Sequence, residues 1–238
     1  MAAAPPIDAD WARWLCDPAE PLALCAQPEP DGPWQRHEFS SRGDRVTARL
    51  AGLGGSAGAL ALVLCEDASA VAPLPGCITA TLDLPLLGTR ESPKWSERLR
   101  ACLRDGPASA VDRALLDEFL GQAVRDAQRL LDVCADGLAR GTDRIGVAGA
   151  GAGALVAAVL SALDARPGAV VLAPGALAAA LDPSTTLPAG GDRLRILAGP
   201  EPGDRGPAWA AHRPDATTDA MAGDGRTAAC QRLSELLA

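Results

Sequence analysis

Tyrosine is absent from the 238 residues, and phenylalanine and histidine occur only twice each. With His37 and His212 as the only imidazoles, chemistry that needs a histidine base or ligand has few places to stand. The seven cysteines, at positions 16, 25, 65, 77, 102, 134 and 230, form no C-x-x-C pair and no Cys/His cluster. That pattern excludes a zinc ribbon, and the odd number makes a poor disulfide framework, so the cysteines read as small buried apolar residues. No metal and no cofactor is expected. The longest apolar run, Gly55 to Cys65, is too short to span a bilayer. The N-terminus has no basic region followed by an apolar one. No membrane contact and a cytoplasmic location are the expectations. A formal charge of -8 without a Lys/Arg stripe argues against nucleic acid as a partner.

Residues 1–36 are rich in proline and carry Trp11, Trp14 and Trp34. They read as an N-terminal arm with one short helix over "DADWARWLC", and "CAQPEPDGPW" reads as irregular. From His37 to Ala238 the pattern is that of one domain. "HEFSSRGDRVTARLAG" predicts a hairpin turning at Arg42-Gly43-Asp44. Apolar runs at 59–65, 77–84, 144–149, 169–173 and 194–199 follow, apolar on both faces as buried parallel strands are. Between them "SAVDRALLDEFLGQAVRDAQRLLDVCADGLARG", "GALVAAVLSALDA" and "RTAACQRLSELLA" carry helical periodicity. The fold class is therefore α/β: a mostly parallel, doubly wound sheet opening with an antiparallel hairpin, a three-layer sandwich without a large cap domain.

The junction "RIGVAGAGAGALVAAVLSAL", Arg144 to Leu163, joins a strand to a helix through a turn made only of Gly and Ala. Gly149-Ala150-Gly151-Ala152-Gly153-Ala154 fits the dinucleotide fingerprint G-x-G-x-x-[GA]. That fingerprint wants an acid about 20 residues on, at the end of the next strand. The next strand ends in Ala173-Pro174. The same residues also frame G-x-S-x-G, where a strained turn presents a nucleophile between two packing glycines. The centre of that frame is Gly151.

With these motifs the chain resembles the α/β-hydrolase superfamily, near the dienelactone-hydrolase and acyl-peptidase-like esterases. "RIGVAGAGAGA" is similar to that group's nucleophile elbow, and "LDLPLLGTRESPKWSERL" (82–99) to its D-x-P-x-H-G-x-R segment; the order of elements matches over residues 37–238. The resemblance implies a serine at Gly151, with Ala150 and Ala152 beside it, a His-Gly oxyanion loop at Cys65-Glu66-Asp67, and a histidine at Leu87. It implies the triad acid in "PEPGDRGP", at Asp204 in preference to Glu201, and the triad histidine at Asp224. A Ser-His-Asp mechanism needs nucleophile, base and orienting acid together.

Cys65 and His212 each have a reactive and a structural reading. Cys65 stands at the mouth of the expected pocket, where Glu66 and Asp67 would raise its pKa, and reads as buried filler; His212 reads as a loop residue. Asp83 and Arg90 read as a pair fixing the loop over the sheet edge. Glu66, Asp67, Asp204 and Asp224 could converge on a metal or a cationic ligand. The leading expectation is a hydrolase-fold protein without hydrolysis, acting in binding, scaffolding or regulation. A small-molecule ligand in the former pocket, a protein partner or a homodimer all stay open. The alternatives are an enzyme repurposed from the esterase or thioesterase type that uses non-triad residues, and a dinucleotide-binding protein.

Overall fold

The computed structural model describes residues 25–28, 32–53, 58–138, 144–175, 194–198, 217–220 and 224–237. Nine strands form one sheet in the order β1-β2-β3-β5-β4-β6-β7-β8-β9. β1 (Cys25–Pro28), β2 (Trp34–Ser41) and β3 (Asp44–Ala51) are antiparallel, and β3 meets β5 (Cys77–Leu82) antiparallel as well. From β5 through β4 (Ala59–Leu64), β6 (Arg144–Ala150), β7 (Ala169–Ala173), β8 (Leu194–Ala198) and β9 (Thr217–Ala220) every pairing is parallel.

The hairpin turns where expected. Arg42 (φ 51°) and Gly43 (φ 81°) both take positive φ, the geometry of a two-residue turn whose twist matches the strands it joins. Every residue of β4, β5 and β7 is buried, which follows from helices covering both faces of parallel strands.

On one face lie α1 (Pro93–Asp105), α2 (Ala110–Asp132) and α3 (Ala152–Leu163). α1 begins with proline at its first turn and ends at Gly106, whose φ of 87° stops it. α2 is capped by Ser109, whose side chain accepts from the Asp112 N–H, and it passes at its C-terminal end into a π-helical turn, Val133–Leu138. Leu116, Phe119, Leu120, Val124, Leu130 and Leu131 are all buried along it, each such side chain contributing about 1.5–3 kcal/mol. α4 (Gly225–Leu237) covers the other face with Ala229, Cys230, Leu233 and Leu237. A methyl group on Gly146 of β6 would lie 2.7 Å from Leu233 Cδ1, so this glycine lets α4 sit close to the sheet.

Two sequence expectations change. "CAQPEPDGPW" is not irregular throughout: Cys25–Pro28 pair with Gln35–Glu38, and Trp34 opens β2. The span given to the arm thus contributes to the sheet, and the boundary at 36 falls inside a strand. α1 and β9 carry too little apolar periodicity to stand out in the sequence. The expected helix over residues 8–16 lies outside the described residues.

Candidate functional site

β6 ends at Ala150, and Gly151 caps α3 with φ 56° and ψ -128°. Those angles belong to the first central residue of a type II′ turn, which non-glycine residues enter only under strain. The turn is held from both sides: the Gly151 N–H donates to the Ala173 carbonyl at 3.0 Å, and the Ala154 N–H donates to the Gly151 carbonyl at 2.9 Å. The flanking glycines serve packing. A Cβ on Gly149 would lie 2.4 Å from the Gly153 carbonyl oxygen, and one on Gly153 would lie 2.0 Å from the Leu64 carbonyl oxygen. The strand, the helix and β4 therefore cross at a distance that no side chain permits.

Above Gly151 stands Glu66. Its Oε1 lies 3.2 Å from the point a Cβ on residue 151 would occupy. A side chain presented by this turn would meet a carboxylate at once. The Ala150 and Ala152 methyl groups supply no reacting atom.

The rest of the loop after β4 is engaged in its own architecture. Cys65 is buried, its thiol donates to the Asp67 carbonyl at 3.2 Å, and burial pushes its pKa up to about 11. Burial, more than the neighbouring acids, sets this value, and Arg226 pulls the other way. At neutral pH only about one such thiol in 10⁴ is a thiolate. The Asp67 carboxylate accepts from the Ser69 N–H (2.9 Å) and Ser69 Oγ (2.6 Å), capping the 3-10 turn Ala68–Ala70; these bonds hold its pKa below the ordinary carboxylate range.

Leu87 is fully buried in the main core. The neighbouring Asp83 does not pair with Arg90 through its side chain, as the sequence suggested. Its carboxylate accepts from Thr89 N–H (3.1 Å), Thr89 Oγ1 and Ala68 N–H (3.3 Å), while Arg90 bonds the Asp83 carbonyl and forms an ion pair with Asp126 at 2.7 Å. Asp83 therefore ties the loop after β5 to the loop that carries Glu66. It is a positioning residue whose signal in the sequence, Asp-x-Pro before a Gly-Thr, pointed to a loop but not to its partner.

Asp224 caps α4, accepting from Thr227 N–H at 3.0 Å and Thr227 Oγ1 at 2.7 Å, and these bonds hold its pKa low. Arg226, on the first turn of α4, was not singled out from the sequence. It lies 4.0 Å from Asp224 and acts electrostatically on Cys65, Asp67 and Cys230, so it brings a positive charge to this edge of the sheet. Glu201, Asp204 and His212 lie outside the described residues. Among the described residues no three His, Cys, Asp or Glu side chains gather in a metal-ligating arrangement, so Glu66, Asp67 and Asp224 do not form one. A cleft of about 380 Å³ opens elsewhere, beside the hairpin, lined by Gln27, Glu38, Asp44 and Arg45 among others, and no elbow residue reaches it.

No family model and no curated protein matches the chain. Solved structures do. Acetyl xylan esterase 1 from Thermoanaerobacterium sp. superposes with a TM-score of 0.61 at 14% identity, over 99% of this chain and 96% of that one. A cold-adapted esterase from an Arctic intertidal metagenomic library gives 0.57 at 17% identity, over 91% of this chain and 100% of that one. A Klebsiella pneumoniae protein assigned as a dienelactone hydrolase gives 0.51 at 14% identity, over 84% and 86%. At such identities the likeness is one of fold. With the antiparallel opening, the exchanged positions of β4 and β5 and the strained turn after β6, the chain has the α/β-hydrolase fold.

Proposed function

We propose that this chain uses the hydrolase fold without hydrolysing: it binds a small molecule or a protein partner at the carboxyl edge of the sheet, or serves as a scaffold or regulator there. One observation carries the reading. The turn keeps the strained geometry that presents a nucleophile, yet its central residue is Gly151 and the Glu66 carboxylate faces the place a side chain would take. The position matched to the triad histidine is Asp224, engaged as a helix cap, and the position matched to the loop histidine is the buried Leu87. Losing one triad member alone costs several orders of magnitude in rate.

The repurposed-enzyme alternative would draw on Asp204 and Asp224 for proton transfer. Asp224 is a poor carrier near neutrality because Thr227 holds its carboxyl ionised. The dinucleotide alternative loses its main support, since Gly149 and Gly153 are accounted for by packing against Ala154 and Leu64. The reading extends to a cytoplasmic protein, supported by the six described cysteines all being free thiols. Among the described residues no helix is long and apolar enough to cross a membrane.

Purified protein is to be incubated with short-chain nitrophenyl esters and with a serine-directed phosphonate. Background turnover and no covalent adduct are expected; robust turnover or labelling overturns the proposal. Gly151→Ser is expected to leave turnover at background, because the hydroxyl would face the weakly basic Glu66 carboxylate and the position matched to the triad histidine is Asp224, engaged as a helix cap.

A further inference from the structure

His37 lies in the middle of β2, opposite Ala26 of β1 and Ala48 of β3, and is 1% exposed. Among the described residues neither Nδ1 nor Nε2 has a hydrogen-bond partner. A buried polar ring without partners costs free energy, and a buried charge without them costs much more. Among the described residues β1, β3 and α2 pack against β2, and none sets a counter-charge on the ring. β1 carries no acid or base opposite the ring, and the residues of β3 that share its face, Val46, Ala48 and Leu50, are apolar. α2 brings Arg125, Asp126 and Arg129: Arg125 Nε donates to the Gly121 carbonyl, Arg129 Nε donates to the Ser40 carbonyl, and Asp126 is paired through Oδ2 with Arg90 while its Oδ1 has no hydrogen-bond partner among the described residues; none of the three shifts the ring's titration. Along β2 itself, Arg36 and Glu38 alternate onto the opposite face, where Glu38 pairs with Arg45.

We propose that His37 makes the antiparallel margin of the sheet acid-labile: β1 and β2 hold together around a neutral imidazole, and one proton taken up there releases them. The added cation would enter a buried site where no described charged group acts on the ring to offset its desolvation. Desolvation lowers the His37 pKa below 6.5, in keeping with this geometry. The sign follows from linkage. A histidine with a lowered folded pKa leaves stability intact above 6.5, and stability falls as pH drops below that value until the folded pKa is reached. Within that window the ratio of closed to open margin falls by up to about tenfold per pH unit.

Hydrogen exchange of the full chain between pH 7.5 and 5, corrected for intrinsic rates, reads this directly. The β1 and β2 amides are expected to lose up to about tenfold protection per pH unit below 6.5 while β6 and α3 keep theirs. In His37→Leu the loss is expected to vanish. The same acid-dependent loss in that variant, or equal loss in β6 and α3, overturns the proposal. Should His37→Leu not fold, the imidazole of the native residue can be titrated by NMR. His212 is the only other histidine, and His212→Gln leaves a single imidazole to follow. A midpoint well below 6.5 supports the proposal, and one at or above 6.5 overturns it.

Discussion

A methyl group at Gly153 would stand 2.0 Å from a main-chain oxygen of β4, whereas one at Gly151 would meet only the end of the Glu66 side chain at 3.2 Å. Rigid backbone cannot give way and a glutamate can. Gly153→Ala is therefore expected to destabilise by about 3 kcal/mol or more, through forced separation of α3 from the sheet. Gly151→Ala is expected to cost about 1–3 kcal/mol, from backbone strain alone. Urea denaturation of the two variants checks both the values and their order. In the sequence the tract showed a frame with Gly151 at its centre. It could not show why Gly151 and Gly153 are placed as they are, because the atoms that face them, the Glu66 carboxylate and the Leu64 carbonyl, come from the end of β4 and the loop after it, more than 80 residues away.

α2 and α4 show how elements anchor the site. Asp126 is fully buried on α2, its carboxyl pushed above the usual range by burial and opposed by Arg90. Removing Arg90 leaves that carboxylate without its ion-pair partner, and Arg90→Ala is expected to cost about 3–5 kcal/mol near neutral pH. An aspartate with a raised folded pKa favours its proton in the folded state, so its stabilising share is present at low pH and lost as pH rises through the folded value. The Arg90→Ala deficit should thus shrink as pH falls toward the raised value, which denaturation at pH 7.5 and 5 would reveal. At α4, Asp224→Ala removes the cap and should cost about 1 kcal/mol without altering ligand-free activity assays. The long α2 was legible because Leu and Phe recur at three and four residues. The Arg90–Asp126 pair was not, since it joins positions 36 residues apart and the nearer Asp83 offered a more obvious partner.

Over the whole molecule, the sheet sorts the cysteines. Cys65 and Cys230 on one side of it are held near pKa 11 and Cys134 on the other near 12, each raised by burial, while Cys25 on the outermost strand is exposed. Alkylation of native protein at pH 7.5 should modify Cys25 and spare Cys65, Cys134 and Cys230, a pattern that peptide mass spectrometry resolves. The parallel half of the sheet could be read from the chain because its strands are continuous apolar runs. β1 escaped notice because two of its four residues, Gln27 and Pro28, are poor strand formers; its place comes from pairing with β2.

The Gly-Ala tract is repetitive as text and singular as an object. Duplication of one Gly-Ala unit, the kind of length change that repetitive coding sequence invites, would leave the alternation intact to the eye. It would nonetheless turn everything after it by about 200° around the helix axis. Leu155, Val156 and Val159 would then rotate away from the core they fill. An insertion would displace that whole buried face at once, so the tract's length is fixed by the core it feeds.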